Sequence, residues 1–136
     1  MEGEIGHVGE AVKGDNAVSD RYTTVKEAMD FLDATGADAL AVAIGTAHGA
    51  YKEKPCLDLQ RLREISAAVD ASLVLHGGSG LSDDDFRNVV RDGIAKINIF
   101  TDLCVAGAIS SSGFDLFGSF LSKVTCPFDP YCGLCI

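Results

Sequence analysis

Apolar residues along this chain fall into two alternating rhythms. Residues 38–45, 73–75 and 94–101 are short apolar runs bounded by glycine or polar residues, the pattern of buried parallel strands. At the start, Glu2 and Glu4 alternate with glycine and Ile5, as on a strand whose alternate side chains share a face. Between these runs the apolar positions recur at helical spacing. Thr23 or Thr24 caps a first helix through Val25, Ala28, Met29, Phe31 and Leu32, and Gly36 ends it. Asp58 caps a second through Leu59, Leu62 and Ile65, and a Ser/Asp cluster opens a third over residues 82–92. Strands alternating with helices of this length predict an α/β fold, with a parallel sheet and right-handed crossovers. Residues 10–21 are polar and read as a loop, of a length used by active-site lids and by merely mobile segments alike.

Polar groups gather at one end of these strands. Glu4 stands on the first, His48 follows the second, His76 and the Gly77-Gly78-Ser79 turn follow the third, and Asn98 and Thr101 end the fourth. Chance would scatter such residues over both ends, whereas α/β enzymes place their chemistry at the carboxyl ends of strands. A glycine turn carrying one hydroxyl offers backbone N–H groups to an anion. Each feature alone has a plainer explanation. Glu2 and Glu4 can be a solvated pair, His7 a surface residue, and the histidine turn an ordinary connection between strand and helix.

Charge narrows the partners. The 136 residues carry a net charge of -9, which argues against a nucleic-acid or membrane-surface partner, so any phosphate would be held by local N–H groups. The sequence shows neither an 18-residue apolar run nor a charged-then-apolar leader, an expectation of a cytoplasmic protein. Its five cysteines are odd in number and Cys56 and Cys104 lie far from the rest, which fits a reducing compartment.

The motifs Glu2-Gly3-Glu4-Ile5-Gly6, Gly45-Thr46-Ala47-His48-Gly49, Leu75-His76-Gly77-Gly78-Ser79-Gly80 and Lys96-Ile97-Asn98-Ile99-Phe100-Thr101-Asp102 occur in order over roughly the first 108 residues. In that order and spacing the chain closely resembles the class II, zinc-dependent ketose-bisphosphate aldolases, particularly the fructose- and tagatose-bisphosphate branch. The resemblance implies a (β/α)8 barrel, a fold that takes about 250 residues. Residues 1–109 would then form its carboxyl-terminal half, a partial barrel of about four parallel strands. It further implies that His48 and His76 are two of three zinc-binding histidines, with ring nitrogens converging to roughly 3–4 Å. Glu4 matches a carboxylate near the metal. Gly49, Gly77, Gly78, Ser79, Asn98, Ile99, Phe100 and Thr101 match the segments that hold the phosphorylated triose. A lysine Schiff base at Lys96 is the other aldolase chemistry this strand invites, and the family match at the same strand argues against it.

The chain also departs from the family. The third zinc histidine and the adjacent catalytic aspartate have no counterpart here, and Glu10 is only an approximate stand-in for the family's proton-transferring acid. The resemblance stops near Ile109, and residues 110–136 form an atypical tail. There Phe114, Phe117, Leu121 and Val124 fall at helical spacing, and Cys126, Cys132 and Cys135 offer three thiols without a fourth ligand. Two functions follow. One is zinc-dependent cleavage of a ketose 1,6-bisphosphate; the other is a non-catalytic half-barrel that binds a sugar phosphate or a partner chain. In either case a homo-oligomer or another chain is expected to cover the open barrel edges.

Overall fold

The computed structural model describes residues 1–6, 9–10, 22–48 and 54–111. Among them, β1 (Glu2–Ile5), β3 (Ala39–Val42), β5 (Ser72–Leu75) and β6 (Ile94–Ile97) form one parallel sheet in the order β1-β3-β5-β6. A second, two-stranded parallel sheet joins β2 (Gly9–Glu10) to β4 (Ala47–His48). The helices α1 (Val25–Thr35), α2 (Leu59–Ala68) and α3 (Asp83–Arg91) alternate with the four main strands, and α4 (Thr101–Ser111) follows β6. The α/β class and the four alternating parallel strands are therefore as expected. His7, Gly49 and the Cys-containing tail from residue 112 lie outside the described residues.

Local chemistry sets the helix ends. Thr24 and Glu27 form a reciprocal capping box at α1, and Ser82 and Asp85 repeat it at α3. Asp58 accepts the Arg61 N–H at the start of α2. Gly36 closes α1 at φ 62°, a left-handed conformation that glycine adopts without a steric penalty.

The two faces of the main sheet differ. On one, Leu40, Val42, Leu73, Leu75 and Ile94 join Ala28, Leu62, Ile65 and Val89 from the helices in a single buried core. Gly3 faces this side: a Cβ there would lie 2.5 Å from the Phe31 ring of α1. Strand alternation therefore turns Glu2 and Glu4 to the opposite face. That face also carries Ala39 and Ala41, their register partners on β3.

Two strands, β3 and β6, are shorter than the apolar runs predicted. β3 ends at Val42 rather than Gly45 because side chains and loops take over its backbone. The N–H and C=O of Ala43 both bond to Thr23, and the Ile44 carbonyl accepts the Asp58 N–H. β6 ends at Ile97 rather than Thr101. Asn98 still bridges to Leu75 and Gly78, after which Thr101 opens α4. The pairing of β2 with β4 runs through what reads in the sequence as loop, and two residues are too few to show a periodicity.

Candidate active site

The strand ends bring together three side chains of types that can ligate a metal. Glu4, His48 and His76 each offer one ligand atom, and these atoms all lie within 4.8 Å of one another. The His48 and His76 rings are tilted by 50° with centroids 6.3 Å apart. His76 is the more enclosed, with 16% of its side chain exposed. Its Nδ1 lies 3.3 Å from a Glu4 carboxylate oxygen and its Nε2 3.5 Å from Glu2. Nε2 is buried and has no hydrogen-bond partner among the described residues.

Glu2 is in turn bound by Lys96, whose Nζ donates to the carboxylate at 2.8 Å. This ammonium holds the Glu2 carboxyl below the usual carboxylate range, against the opposing effect of partial burial. Lys96 is thus engaged as an ion-paired cation. Glu10, by register, sits opposite His48 across the small sheet.

Beside the histidines opens a cleft of about 440 Å³. His48, His76, Gly77, Ser79 and residues 98–101 line it, so the two turns assigned to phosphate from the sequence share one cavity. Gly78 is buried, and its N–H donates to the Asn98 carbonyl at 3.0 Å. Ser79 is buried too, and its Oγ accepts from the N–H groups of Phe100 and Asp102, each at 3.2 Å. The N–H groups of Ser79, Ile99 and Thr101 remain without an acceptor among the described residues. Phe100 is 77% exposed and stands at the rim.

The sequence reading missed two contributors. Asp102 accepts the Gly80 N–H at 2.9 Å, tying α4 to the turn after β5. Glu2 contacts His76 as well as Lys96. The Glu2/Glu4 spacing did signal a shared face. Nothing local pointed to a lysine 94 residues away.

A family model, that of the class-II fructose-bisphosphate aldolases, matches residues 1–112. The chain belongs to this family. It is 43% identical over 111 residues to the uncharacterized protein YdjI of Escherichia coli K12, a match covering 81% of this chain and 40% of that protein. The crystal structure of the YdjI aldolase superimposes with a TM-score of 0.66 at 37% identity, covering 90% of this chain and 42% of that one. The fructose-bisphosphate aldolase of Campylobacter jejuni superimposes with a TM-score of 0.62 at 28% identity, covering 87% of this chain and 38% of that one. The chain thus spans about two-fifths of the length of the aldolases it matches.

The donor set suits the metal of this family. Two imidazoles and a carboxylate are ligand types that zinc accepts, in catalytic sites that keep a position open for substrate. Bonds of about 2.0–2.2 Å need only a modest tightening of the present spacing. A buried imidazole nitrogen facing a carboxylate is also what a metal-bound histidine commonly uses to fix its ring. Among the described residues no helix is long and apolar enough to cross a membrane.

Proposed function

We propose that this chain forms the carboxyl-terminal half of a class II aldolase barrel. The reaction is cleavage of a ketose 1,6-bisphosphate to glycerone phosphate and glyceraldehyde 3-phosphate. The observation that carries this reading is the clustering of Glu4 with His48 and His76, the two histidines that line the same cleft as Gly77, Ser79 and residues 98–101.

His48 and His76 would hold zinc, with Glu4 as the nearby carboxylate. Bound there, zinc supplies Lewis-acid stabilisation of the negative charge that develops on the substrate's ketone oxygen. The chain's own groups position the triose. The acceptor-free N–H groups of Ser79, Ile99 and Thr101, with the Ser79 O–H, receive phosphate oxygens at the entrance to α4. Anchoring the phosphate fixes the reacting carbons relative to the histidines, a positioning effect. Glu10 stands opposite His48 by backbone register, and we assign it the role of proton carrier.

Among the described residues, the four strands leave two open sheet edges and a face without helices. Further strands of the same kind, in a second copy or another chain, are the covering we propose. The non-catalytic reading shares the cleft and lacks the bond cleavage. Aldol cleavage of fructose and tagatose 1,6-bisphosphates, assayed with and without added zinc, separates the two. Zinc-dependent release of triose phosphate supports the lyase. Phosphate binding without turnover favours the non-catalytic half-barrel.

A further inference from the structure

Glu2 begins the first strand and Lys96 lies on the last, with β3 and β5 between them. Adjacent strands lie about 4.7–4.9 Å apart, so the two backbones are separated by three spacings, roughly 14 Å in a flat sheet. Their side chains nevertheless meet at 2.8 Å. The crossing takes place on the face that carries no helix among the described residues, where β3 presents the short side chains of Ala39 and Ala41 next to β1. Both partners are about one-third exposed. A long-range ion pair of this kind costs side-chain entropy and contributes little stability by itself.

Its end point is His76. A neutral imidazole has one N–H and one lone pair. A cation held between Nδ1 and Glu4 requires the lone pair on Nδ1, and the proton must then sit on Nε2. That nitrogen is buried, has no hydrogen-bond partner among the described residues, and faces the Glu2 carboxylate at 3.5 Å. We infer that Glu2, held in place by Lys96, is a positioning residue: it accepts the Nε2–H of His76 and so fixes the ring with Nδ1 toward the metal. The inference rests on the metal-site reading above and adds to it the outer carboxylate. Hydrogen bonds at such sites are commonly long before the ligand arrives and tighten afterwards. Lys96 contributes by cancelling the charge of Glu2 and aiming it, a role different from amine nucleophile.

The test is zinc binding to the full 136-residue chain and its variants, measured by competition with a chromophoric chelator. Imidazole proton resonances of the zinc-loaded protein provide the second readout. Glu2→Ala is expected to weaken zinc about 10–100-fold, the usual cost of losing an outer carboxylate. It should also remove the slowly exchanging Nε2–H signal of His76. Glu2→Gln keeps an acceptor oxygen of the same reach, so it should retain that signal and lose affinity by a smaller factor. Lys96→Met should lower affinity in the same direction. If Glu2→Ala does not fold by circular dichroism, the isosteric Glu2→Gln carries the test. Parental zinc affinity in the Glu2 variants, or an unchanged Nε2–H signal in Glu2→Ala, would overturn the positioning role and leave the metal centre standing. A parent chain that takes up no zinc would overturn both.

Discussion

The Ser79 hydroxyl accepts the backbone N–H of Phe100 at 3.2 Å, and the same oxygen accepts the Asp102 N–H. One buried side chain thereby ties the turn after β5 to the entrance of α4. Asp102 returns the contact through the Gly80 N–H. The geometry of the cleft depends on this reciprocal latch, because its two lining turns belong to different strand–helix connections.

Ser79→Ala should therefore act twice. Two N–H groups lose their acceptor in a partly buried setting, a cost of about 1–3 kcal/mol. Urea unfolding should show a lower midpoint with an unchanged slope. Inorganic phosphate, titrated by NMR, should then shift the amides of Ile99 and Thr101 less than in the parent. An unaltered midpoint together with an unaltered titration would show that the latch holds nothing.

The sheet and the helices that line it were legible because each carries its own local signal: a threonine cap before α1, a Ser/Asp cluster before α3, Gly36 as a stop, and apolar runs bounded by glycine or polar residues. The clustering of Glu4, His48 and His76 was legible for a different reason. Parallel strands put their carboxyl ends together, so Glu4, His48 and His76 had to be neighbours once the topology was read. The Glu2–Lys96 pair was not, since it depends on how closely the two outer strands approach across one face. Strand ends were misjudged where hydrogen bonds of Thr23 and Asp58 replace the ladder.

Gly77 joins His76 to the cleft at φ 70°, and a Cβ there would stand 2.5 Å from the Ala47 carbonyl oxygen. Backbone is a poor group to displace, and Ala47 immediately precedes His48. Gly77→Ala should cost about 1–3 kcal/mol from backbone strain and push the two histidines apart. Zinc affinity should fall with stability. Gly36→Ala is the control: it has a positive φ of 62° but nothing within 4 Å of the added carbon. It should lower stability by about 1–2 kcal/mol and leave zinc affinity unchanged.

Thr23 is 1% exposed and serves both strands at once, donating its hydroxyl to the Ile5 carbonyl at 3.1 Å and accepting the Ala43 N–H at 2.9 Å. Thr23→Val preserves shape and removes both bonds, leaving a buried donor and acceptor unmatched. A loss of about 1–3 kcal/mol is expected. Hydrogen exchange should localise it: the Ala43 amide should lose protection while the β5 amides keep theirs. Uniform loss along the sheet, or none, would contradict a local clamp at the ends of β1 and β3.

Asp92 sits at the carboxyl end of α3, where the helix dipole disfavours a negative charge. Two arginines offset this: Arg91 Nε lies 3.1 Å and Arg63 Nη1 2.7 Å from the carboxylate, which is only 5% exposed. The Arg91 hydrogen bond foremost, with the charges of Arg91 and Arg63, holds its carboxyl below the ordinary aspartate range, against desolvation. A carboxyl with a depressed folded-state pKa stabilises the fold above its unfolded value, near 3.9. That stabilisation is lost as pH falls through the folded value. Asp92→Asn should thus be less stable than the parent by about 1–3 kcal/mol at pH 7. The gap should close progressively once the pH drops below about 4. Both curves come from urea unfolding at fixed ionic strength. Arg63→Met and Arg91→Met should each give part of the gap, and the pair should be non-additive because they share one carboxylate. A difference between parent and Asp92→Asn that is the same at pH 3 as at pH 7 would show that the charge of Asp92 contributes nothing to the fold.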